Sequence, residues 1–331
     1  MIMEKQTPLL EVEEVRTHFQ TERGLVKAVD GVSFTVGQGE TVCIVGESGC
    51  GKSVTALSIM DLITGNGVVS GSMKLAGTDL RTLSKGDMRR IRGNELAMIF
   101  QEPMSSLNPV LTIGEQLTET LLNHTTLSKK AATQKALELI ALVGIGRGEQ
   151  ILKSYPHQMS GGMLQRIMIA IALSCDPKML IADEPTTALD VTIQAQILDL
   201  LRSLKQERNM SMLLITHDLG VVAEVADYVV VMYAGKVIEQ GGVEEIFENP
   251  KHPYTKGLLE AKPILGARKQ KLYTIPGQVP QLVDLPDSCY FADRCEHCMD
   301  ICTSKAPTLK QEGQKTHEVA CWLYEEREAV R

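Results

Sequence analysis

The sequence predicts an α/β fold in which a mainly parallel sheet has helices on both faces and a small loop-rich appendage follows it. From about residue 9 to residue 245, short apolar runs alternate with segments of helical periodicity. Beyond about residue 246 this periodicity fades, and five prolines fall between Pro250 and Pro280. We therefore expect a domain boundary near residue 248, which separates residues 1–248 from residues 249–331.

Composition restricts the functional class. The chain has 331 residues, of which 44% are apolar, so a sizeable core is expected and disorder is not. Its formal charge of −7 argues against a nucleic-acid-binding protein that relies on a broad basic face. No apolar run approaches the roughly 20 residues of a membrane span, and the first residues lack the apolar stretch of a secretory signal. We expect a cytosolic chain that reaches a membrane only through partners.

The individual elements follow from apolar periodicity and from the turn residues between the apolar runs. Residues 20–28 form a charged hairpin, and residues 65–78, with four glycines, form short strands and turns. Strands are predicted at residues 9–19, 29–36, 41–45, 96–100, 179–182, 212–216, 228–233 and 236–240. Helices are predicted at residues 54–62, within 113–145, and at 163–174, 193–204 and 219–226.

One loop carries the clearest chemistry. Residues 46–53 read Gly-Glu-Ser-Gly-Cys-Gly-Lys-Ser and fit the pattern G-x-x-x-x-G-K-[ST]. They lie between a predicted buried strand and a predicted helix, which is the context that a phosphate-binding loop requires. Glycines let the backbone N–H groups turn toward an anion, Lys52 would contact the β- and γ-phosphates, and Ser53 would bind Mg²⁺.

Polar residues follow three other predicted strands. Asp183 ends one strand and would hold Mg²⁺, while Glu184 comes next and would face an attacking water, because successive strand residues point to opposite sides. His217 follows a second strand and could hydrogen-bond a γ-phosphate. Gln101 closes a third and could contact Mg²⁺ or the water. Phe19, with His18 as the second candidate, is expected to stack on adenine.

Together these motifs resemble the ATP-binding cassette (ABC) ATPases. Walker A is matched by Gly46, Glu47, Ser48, Gly49, Cys50, Gly51, Lys52 and Ser53, and Walker B by Asp183, which the catalytic glutamate, Glu184, follows. The signature is matched by Ser160, Gly161 and Gly162, and the Q-loop by Gln101. The D-loop is matched by residues 188–190, which include Asp190, and the switch histidine by His217. The signature carries Met-Leu where Gln-Gln or Gln-Arg is commoner. The resemblance implies a P-loop NTPase with a RecA-like core, an antiparallel β subdomain and a helical subdomain at about residues 102–165.

The resemblance also implies that the catalytic unit contains two cassettes. Ser160 and the backbone N–H groups of Gly161 and Gly162 open a predicted helix, so they form a second anion site. In the family, two cassettes pack head to tail, and each ATP lies between the phosphate loop of one and the signature of the other. ATP then joins the two cassettes and hydrolysis separates them.

A narrower resemblance extends into the C-terminal part. Residues 100–109, Tyr155-Pro156-His157-Gln158, His252-Pro253-Tyr254-Thr255 and Ile275-Pro276-Gly277 look like oligopeptide/dipeptide importer ATPases, and nickel importers are the nearest alternative. The implied partners are a second, often different ATPase, two permease subunits and an extracytoplasmic peptide-binding protein, with no nucleic acid. The implied location is peripheral, on the cytoplasmic face of the inner membrane.

The C-terminal cysteines predict a metal site. Five of them, Cys289, Cys295, Cys298, Cys302 and Cys321, lie in the last 43 residues, a density that in a reducing cytosol suggests metal before disulfides. Four thiolates suit either tetrahedral Zn²⁺ or an iron–sulfur cluster. The importer resemblance implies that Cys289, Cys295, Cys302 and Cys321 hold a [4Fe–4S] cluster and leaves Cys298 as a departure. Reduced thiols packed in a small core are the alternative.

Two other functional classes remain as alternatives. Cassette ATPases that act on nucleic acid or ribosomes tend to have two cassettes in one chain or a long coiled-coil insertion, whereas this chain has one cassette and an acidic balance. A non-catalytic regulatory cassette is the other alternative. The presence of Lys52, Asp183, Glu184 and His217 argues against it.

Overall fold

The computed structural model describes residues 8–187, 189–261, 274–311 and 317–324. These residues form an α/β fold, as predicted. The twelve strands in this part of the chain are β1 (Leu10–Thr21), β2 (Gly24–Val36), β3 (Thr41–Val45), β4 (Gly67–Leu75), β5 (Thr78–Asp79), β6 (Leu96–Ile99), β7 (Met179–Asp183), β8 (Ser211–Ile215), β9 (Tyr228–Tyr233), β10 (Lys236–Gly242), β11 (Lys310–Gln311) and β12 (Glu318–Val319).

The same described ranges contain twelve α-helices and three short 3₁₀ turns. The helices are α1 (Lys52–Ile59), α2 (Lys85–Ile91), α3 (Pro103–Ser106), α4 (Ile113–His124), α5 (Lys129–Leu142), α6 (Gly148–Leu152), α7 (Gly161–Ala172), α8 (Val191–Arg208), α9 (Leu219–Val225), α10 (Val243–Glu248), α11 (Pro253–Glu260) and α12 (Asp300–Ser304). No helix in the described residues is long and apolar enough to cross a membrane.

The described residues divide into two compact units. The first contains Val36–Glu40 and Thr82–Ile215, and the second contains Leu10–Thr35, Thr41–Arg81 and the described part of Thr216–Arg331. The second unit therefore includes residues on both sides of residue 248. The boundary expected there remains a prediction.

The first unit combines a parallel sheet with helices. Its strands lie in the order β8-β7-β6, and both neighbouring pairs are parallel. Every residue of these strands is buried, and all are apolar except Asp183 at the end of β7 and Ser211 at the start of β8. Helices α3 to α7 occupy the region in which the helical subdomain was predicted. A complete capping box between Thr112 and Glu115 starts α4 there.

The second unit contains two groups of strands. One is an antiparallel sheet in the order β2-β1-β4-β5. In the other, β3 pairs in parallel with β9, and β10, β12 and β11 follow as antiparallel neighbours. The C-terminal segment thus contributes β12 directly to the edge of β10, through the pairs Glu239–Val319 and Gln240–Glu318.

Candidate functional site

The phosphate loop has the backbone that its glycines predict. β3 is buried along its whole length and delivers the chain to Gly46. Gly51 precedes α1 in a left-handed conformation, with φ of 104°. A Cβ atom on Gly51 would collide with the carbonyl oxygen of Ala28, and one on Gly46 with that of Met232. Glycine is therefore required here both by the backbone angle and by the lack of space. Helix α1 begins at Lys52, two residues before the predicted start, because this turn leads directly into it.

Lys52 and Ser53 start helix α1. Lys52 is buried, and its ammonium group donates hydrogen bonds to the carbonyl oxygens of Gly46, at 2.8 Å, and Glu47, at 3.1 Å. These two bonds hold the charged end of the lysine over the turn of the loop. Ser48 and Gly49, at the tip, are exposed, and no atom lies within 4 Å of a Cβ built on Gly49. The loop therefore combines a fixed lysine with an accessible rim.

In the first unit, Glu184 lies just beyond the end of β7. Asp183 is the last residue of the strand and is buried. Glu184 follows with φ of 46°, so the strand alternation from which its direction was predicted does not apply. Its backbone N–H donates to the carbonyl of Ile215 at the end of β8, and its carboxylate accepts a hydrogen bond from the hydroxyl of Thr187 at 2.8 Å. These hydrogen bonds of its backbone and side chain hold Glu184 in the left-handed conformation.

Gln101 reaches Glu184. The side-chain amide of Gln101, just after β6, donates to the carboxylate of Glu184 at 3.2 Å. Parallel strands β6 and β7 are neighbours, so their carboxyl ends bring these two residues to one edge of the sheet. The structure therefore joins two residues that the sequence placed 83 positions apart. Thr187, which supports Glu184, was missed by the sequence analysis; a threonine three residues after the glutamate was its only signal.

The signature residues form a helix start, as predicted. Ser160 is the N-cap of α7, and its side chain makes no capping hydrogen bond. Ser160 and Gly161 are exposed. A serine at an N-cap whose hydroxyl is not used for capping, beside exposed N–H groups of the first turn, can receive an anion from outside the chain.

Asp190 and His217 also lie at element ends. The carboxylate of Asp190 caps α8 by accepting from the N–H of Ile193 at 3.0 Å, while Ala188 lies outside the described residues. In the second unit, His217 is exposed between β8 and α9. The neighbouring Asp218 caps α9 through the N–H of Gly220. Asp190 is therefore fixed by the cap that it forms, whereas His217 directly precedes the cap residue of α9.

Phe19 lies in β1, opposite Gly67 of β4. A Cβ atom on Gly67 would meet the ring of Phe19 at 2.6 Å, so the ring lies over that glycine. Stacking of Phe19 on adenine stays a prediction. His18 lies beside Asp30, with its Nε2 3.5 Å from a carboxylate oxygen.

Four of the five C-terminal cysteines share one small cavity. Cys289, Cys295, Cys302 and Cys321 line it together with Phe291 and Trp322, while Cys298 is exposed and is not part of its lining. Burial raises the pKa of Cys289 to about 11 and that of Cys321 to about 12, so both are neutral thiols near pH 7. Within the described ranges, no three His, Cys, Asp or Glu side chains are arranged as a metal site. His317, in the same part of the chain, is hydrogen-bonded to the buried Glu239 at 2.7 Å.

Residues from the C-terminal part contact the phosphate loop, a contact that the sequence pattern does not predict. The guanidinium of Arg294 forms a bidentate ion pair with Glu47, at 2.7 and 3.1 Å. The hydroxyl of Tyr254 accepts a hydrogen bond from the N–H of Glu47 at 2.8 Å. Tyr254 belongs to a motif quoted above for the importer resemblance, but the sequence carried no signal that either residue contacts Glu47.

Comparison with known proteins agrees with this geometry. The profile of the ABC transporter family matches residues 29–187, and that of the oligopeptide/dipeptide transporter C-terminal region matches residues 238–302. The oligopeptide transport ATP-binding protein AppD of Bacillus subtilis is 55% identical over 97% of this chain and 98% of its own. The dipeptide transport ATP-binding protein DppD of the same organism is 51% identical over 96% of each chain.

Solved structures of cassettes have the same fold. The ATP-binding cassette MJ0796, in a dimeric post-hydrolysis state bound to ADP and Pi, is 26% identical and has a TM-score of 0.64, over 71% of this chain and 98% of that one. The chain therefore belongs to the ABC transporter family, among the ATP-binding proteins that carry the oligopeptide/dipeptide transporter C-terminal region.

Proposed function

We propose that this chain is the ATPase subunit that powers the import of di- and oligopeptides through a membrane ABC transporter. The observation that carries the proposal is the near full-length identity of 55% to an oligopeptide transport ATP-binding protein, in a chain whose phosphate loop and Glu184 are both built for ATP hydrolysis. A nickel or other small-solute importer is the alternative substrate class. The cargo is recognised elsewhere, so this choice rests on similarity alone.

The phosphate loop supplies the binding chemistry. Backbone N–H groups at the start of α1 face an anion, and the partial positive charge of the helix N-terminus adds to Lys52. Bound Mg²⁺ supplies positive charge against the phosphate oxygens. The Ser53 hydroxyl and the buried carboxylate of Asp183 are hard oxygen ligands of the type that Mg²⁺ prefers.

Glu184 is the proposed general base. Its carboxylate is already oriented by Gln101 and Thr187, so little reorganisation is needed when it accepts a proton from the attacking water. Gln101 would thereby sense the state of the reacting water. His217 is proposed to hydrogen-bond the γ-phosphate as charge develops on it.

Two chains are proposed to complete each site. Ser160 and the N–H groups of Gly161 and Gly162 are exposed or half-exposed at the start of α7 and would receive the γ-phosphate of ATP held by a partner cassette. The partner is proposed to be a second, homologous ATPase. Two membrane permease subunits and an extracytoplasmic peptide-binding protein complete the importer, and this chain would lie at the cytoplasmic face of the inner membrane.

Replacing Glu184 by glutamine tests the catalytic assignment. The variant keeps the shape of the side chain but removes the base, so ATP should still bind while hydrolysis falls on the order of 10²–10⁴-fold. ATP binding and phosphate release are measured on the assembled ATPase. Glu95→Gln is the matched control, because Glu95 is a partly exposed partner of Lys178 and should leave the rate unchanged. Hydrolysis by Glu184→Gln at the control rate would exclude this role.

The cysteine cavity is proposed to hold a [4Fe–4S] cluster, with Zn²⁺ as the alternative. The support is that four cysteines line one cavity and the fifth lies outside it. In the described residues these thiols are not arranged as a metal site, so binding of the cluster would require them to move closer together. The cluster would tie together a segment with a small core: Ala292, Cys302 and Trp322 are buried beside it, and Cys289, Met299 and Ile301 are partly buried against them.

Metal analysis tests this assignment. Protein purified without oxygen should be brown, with broad absorption near ~400 nm and about four iron atoms per chain. Zinc without iron would replace the cluster by a zinc site. Neither metal would leave a core of reduced thiols.

A further inference from the structure

Two segments of the C-terminal part contact one residue of the phosphate loop. They are Pro253–Glu260, which contains Tyr254, and the turn that contains Arg294. Both belong to the same compact unit as the loop. Their common target is Glu47, the residue that follows Gly46. Nothing in the nucleotide chemistry described above uses the side chain of Glu47.

Arg294 is held in one orientation. Its side chain is 4% exposed, and both Nη atoms pair with the carboxylate of Glu47. Its Nε donates to the carbonyl oxygen of Pro276 at 2.8 Å, and Nη1 also lies 3.3 Å from the hydroxyl of Tyr233. The ion pair with Glu47 raises the pKa of Arg294 above its ordinary value. Such a bidentate pair fixes direction as well as distance.

Tyr254 holds the backbone of the same residue. Its hydroxyl accepts from the N–H of Glu47, and its ring is fully buried and packs edge-on against Tyr233 and Phe291. The carbonyl of Glu47 accepts from the Lys52 ammonium and from the N–H of Cys50. Glu47 is therefore held from the C-terminal part through its side chain and its N–H, while its carbonyl contacts the residue that binds phosphate.

We propose that Arg294 is a positioning residue for the phosphate loop, through which the C-terminal part sets the affinity of this chain for ATP. The inference rests on the proposed binding of ATP by this loop. If Arg294 is lost, Glu47 is free to change orientation, and Lys52 loses its fixed support. The phosphate loop is then no longer preorganised, so ATP must order it on binding and the affinity for ATP falls. The chemistry at Glu184 is not altered.

Titration of the purified full-length chain with a fluorescent ATP analogue tests the proposal. Arg294→Gln and Glu47→Gln should each weaken binding about tenfold, which corresponds to about 1.4 kcal/mol. The double variant should be no weaker than either single variant, because both remove one interaction. Arg294→Lys keeps the charge without the fork and should be intermediate. In the assembled ATPase at saturating ATP, kcat of Arg294→Gln should stay within about twofold of the wild type, so that only KM rises.

The matched control is Arg90→Gln. Arg90 pairs with Asp87 on the surface of α2, with 83% of its side chain exposed, and should bind ATP as the wild type does. Wild-type affinity in both Arg294→Gln and Glu47→Gln, or additive losses in the double variant, would overturn the proposal. If Arg294→Gln does not fold, Arg294→Lys and Glu47→Gln decide in the same way. Failure of the wild-type chain to bind the analogue would instead refute the proposed function.

Discussion

His252 makes the C-terminal part sensitive to acid. The residue is 2% exposed and caps helix α11, where its Nδ1 accepts from the N–H of Tyr254. Burial lowers its pKa to about 4, although the nearby carboxylate of Glu239 opposes this effect and Lys256 adds to it. The unfolded chain takes up a proton near pH 6.5, whereas the folded chain does so only near pH 4.

The sign and size of the effect follow from this difference. Between these two values the unfolded chain binds more protons, so the free energy of unfolding falls as the pH is lowered through that window. The shift from 6.5 to about 4 corresponds to a loss of about 3 kcal/mol. Burial alone would raise the pKa of Glu239, but its hydrogen bonds with His317 and with the backbone N–H groups of Lys251 and His252 lower it. The contribution of Glu239 to the free energy of unfolding is therefore fully present above its ordinary pKa, so it does not mask the contribution of His252.

Urea unfolding between pH 7.5 and 4.5 measures the effect, with fluorescence of the single tryptophan, Trp322, as the probe of this region. His252→Asn removes the titrating ring but keeps a side-chain acceptor at the N-cap. The variant should therefore lose less stability toward pH 4.5 than the wild type, even if it is less stable at pH 7.5. His157→Asn, at an exposed histidine, should retain the wild-type slope. Equal pH dependence in His252→Asn and the wild type would refute the reasoning.

Further predictions concern the loop, the signature and the cysteines. Gly51→Ala should lower stability by about 1–3 kcal/mol and abolish ATP binding, because of its left-handed backbone and the nearby Ala28 carbonyl. Gly146→Ala, at a glycine with open space around it and no left-handed backbone, should retain binding in the same titration. Ser160→Arg should leave ATP binding by the isolated chain nearly intact but stop hydrolysis at the partner's site; loss of binding by the isolated chain would contradict the head-to-tail arrangement. Cys302→Ser should remove the iron while the exposed Cys298→Ser retains it, and equal iron content in both would contradict the assignment of ligands.

Much of the secondary structure, and the family, can be predicted from local sequence. The apolar run Thr41–Val45 became a buried strand with the predicted bounds, because a continuous apolar segment before a glycine turn has few other places in an α/β fold. The order of the motifs likewise predicted the family. The side-chain direction of Glu184 could not be predicted in this way. Alternation along a strand predicts side-chain directions only while the strand continues, and at Glu184 the backbone turns to φ of 46°.

The parts that local sequence did not predict depend on distant contacts. Arg294 and Glu47 are 247 positions apart, and no periodicity or spacing links a residue of the C-terminal turn to the phosphate loop. The spacing Cys295-x-x-Cys298 is a common chelating step, yet Cys298 is exposed and Cys302 is buried at the cavity. Which cysteine faces inward is decided by packing against Trp322 and Phe291.

The central claim is that this chain hydrolyses ATP to drive peptide import, and reconstitution tests it most directly. The complete importer, with its permeases, second ATPase and peptide-binding protein, is placed in liposomes, and ATP hydrolysis and peptide uptake are measured together. We predict that peptide-loaded binding protein stimulates hydrolysis, that uptake follows it, and that Glu184→Gln abolishes both. Hydrolysis that does not respond to any peptide, with no uptake, or peptide uptake that persists in Glu184→Gln, would contradict the account.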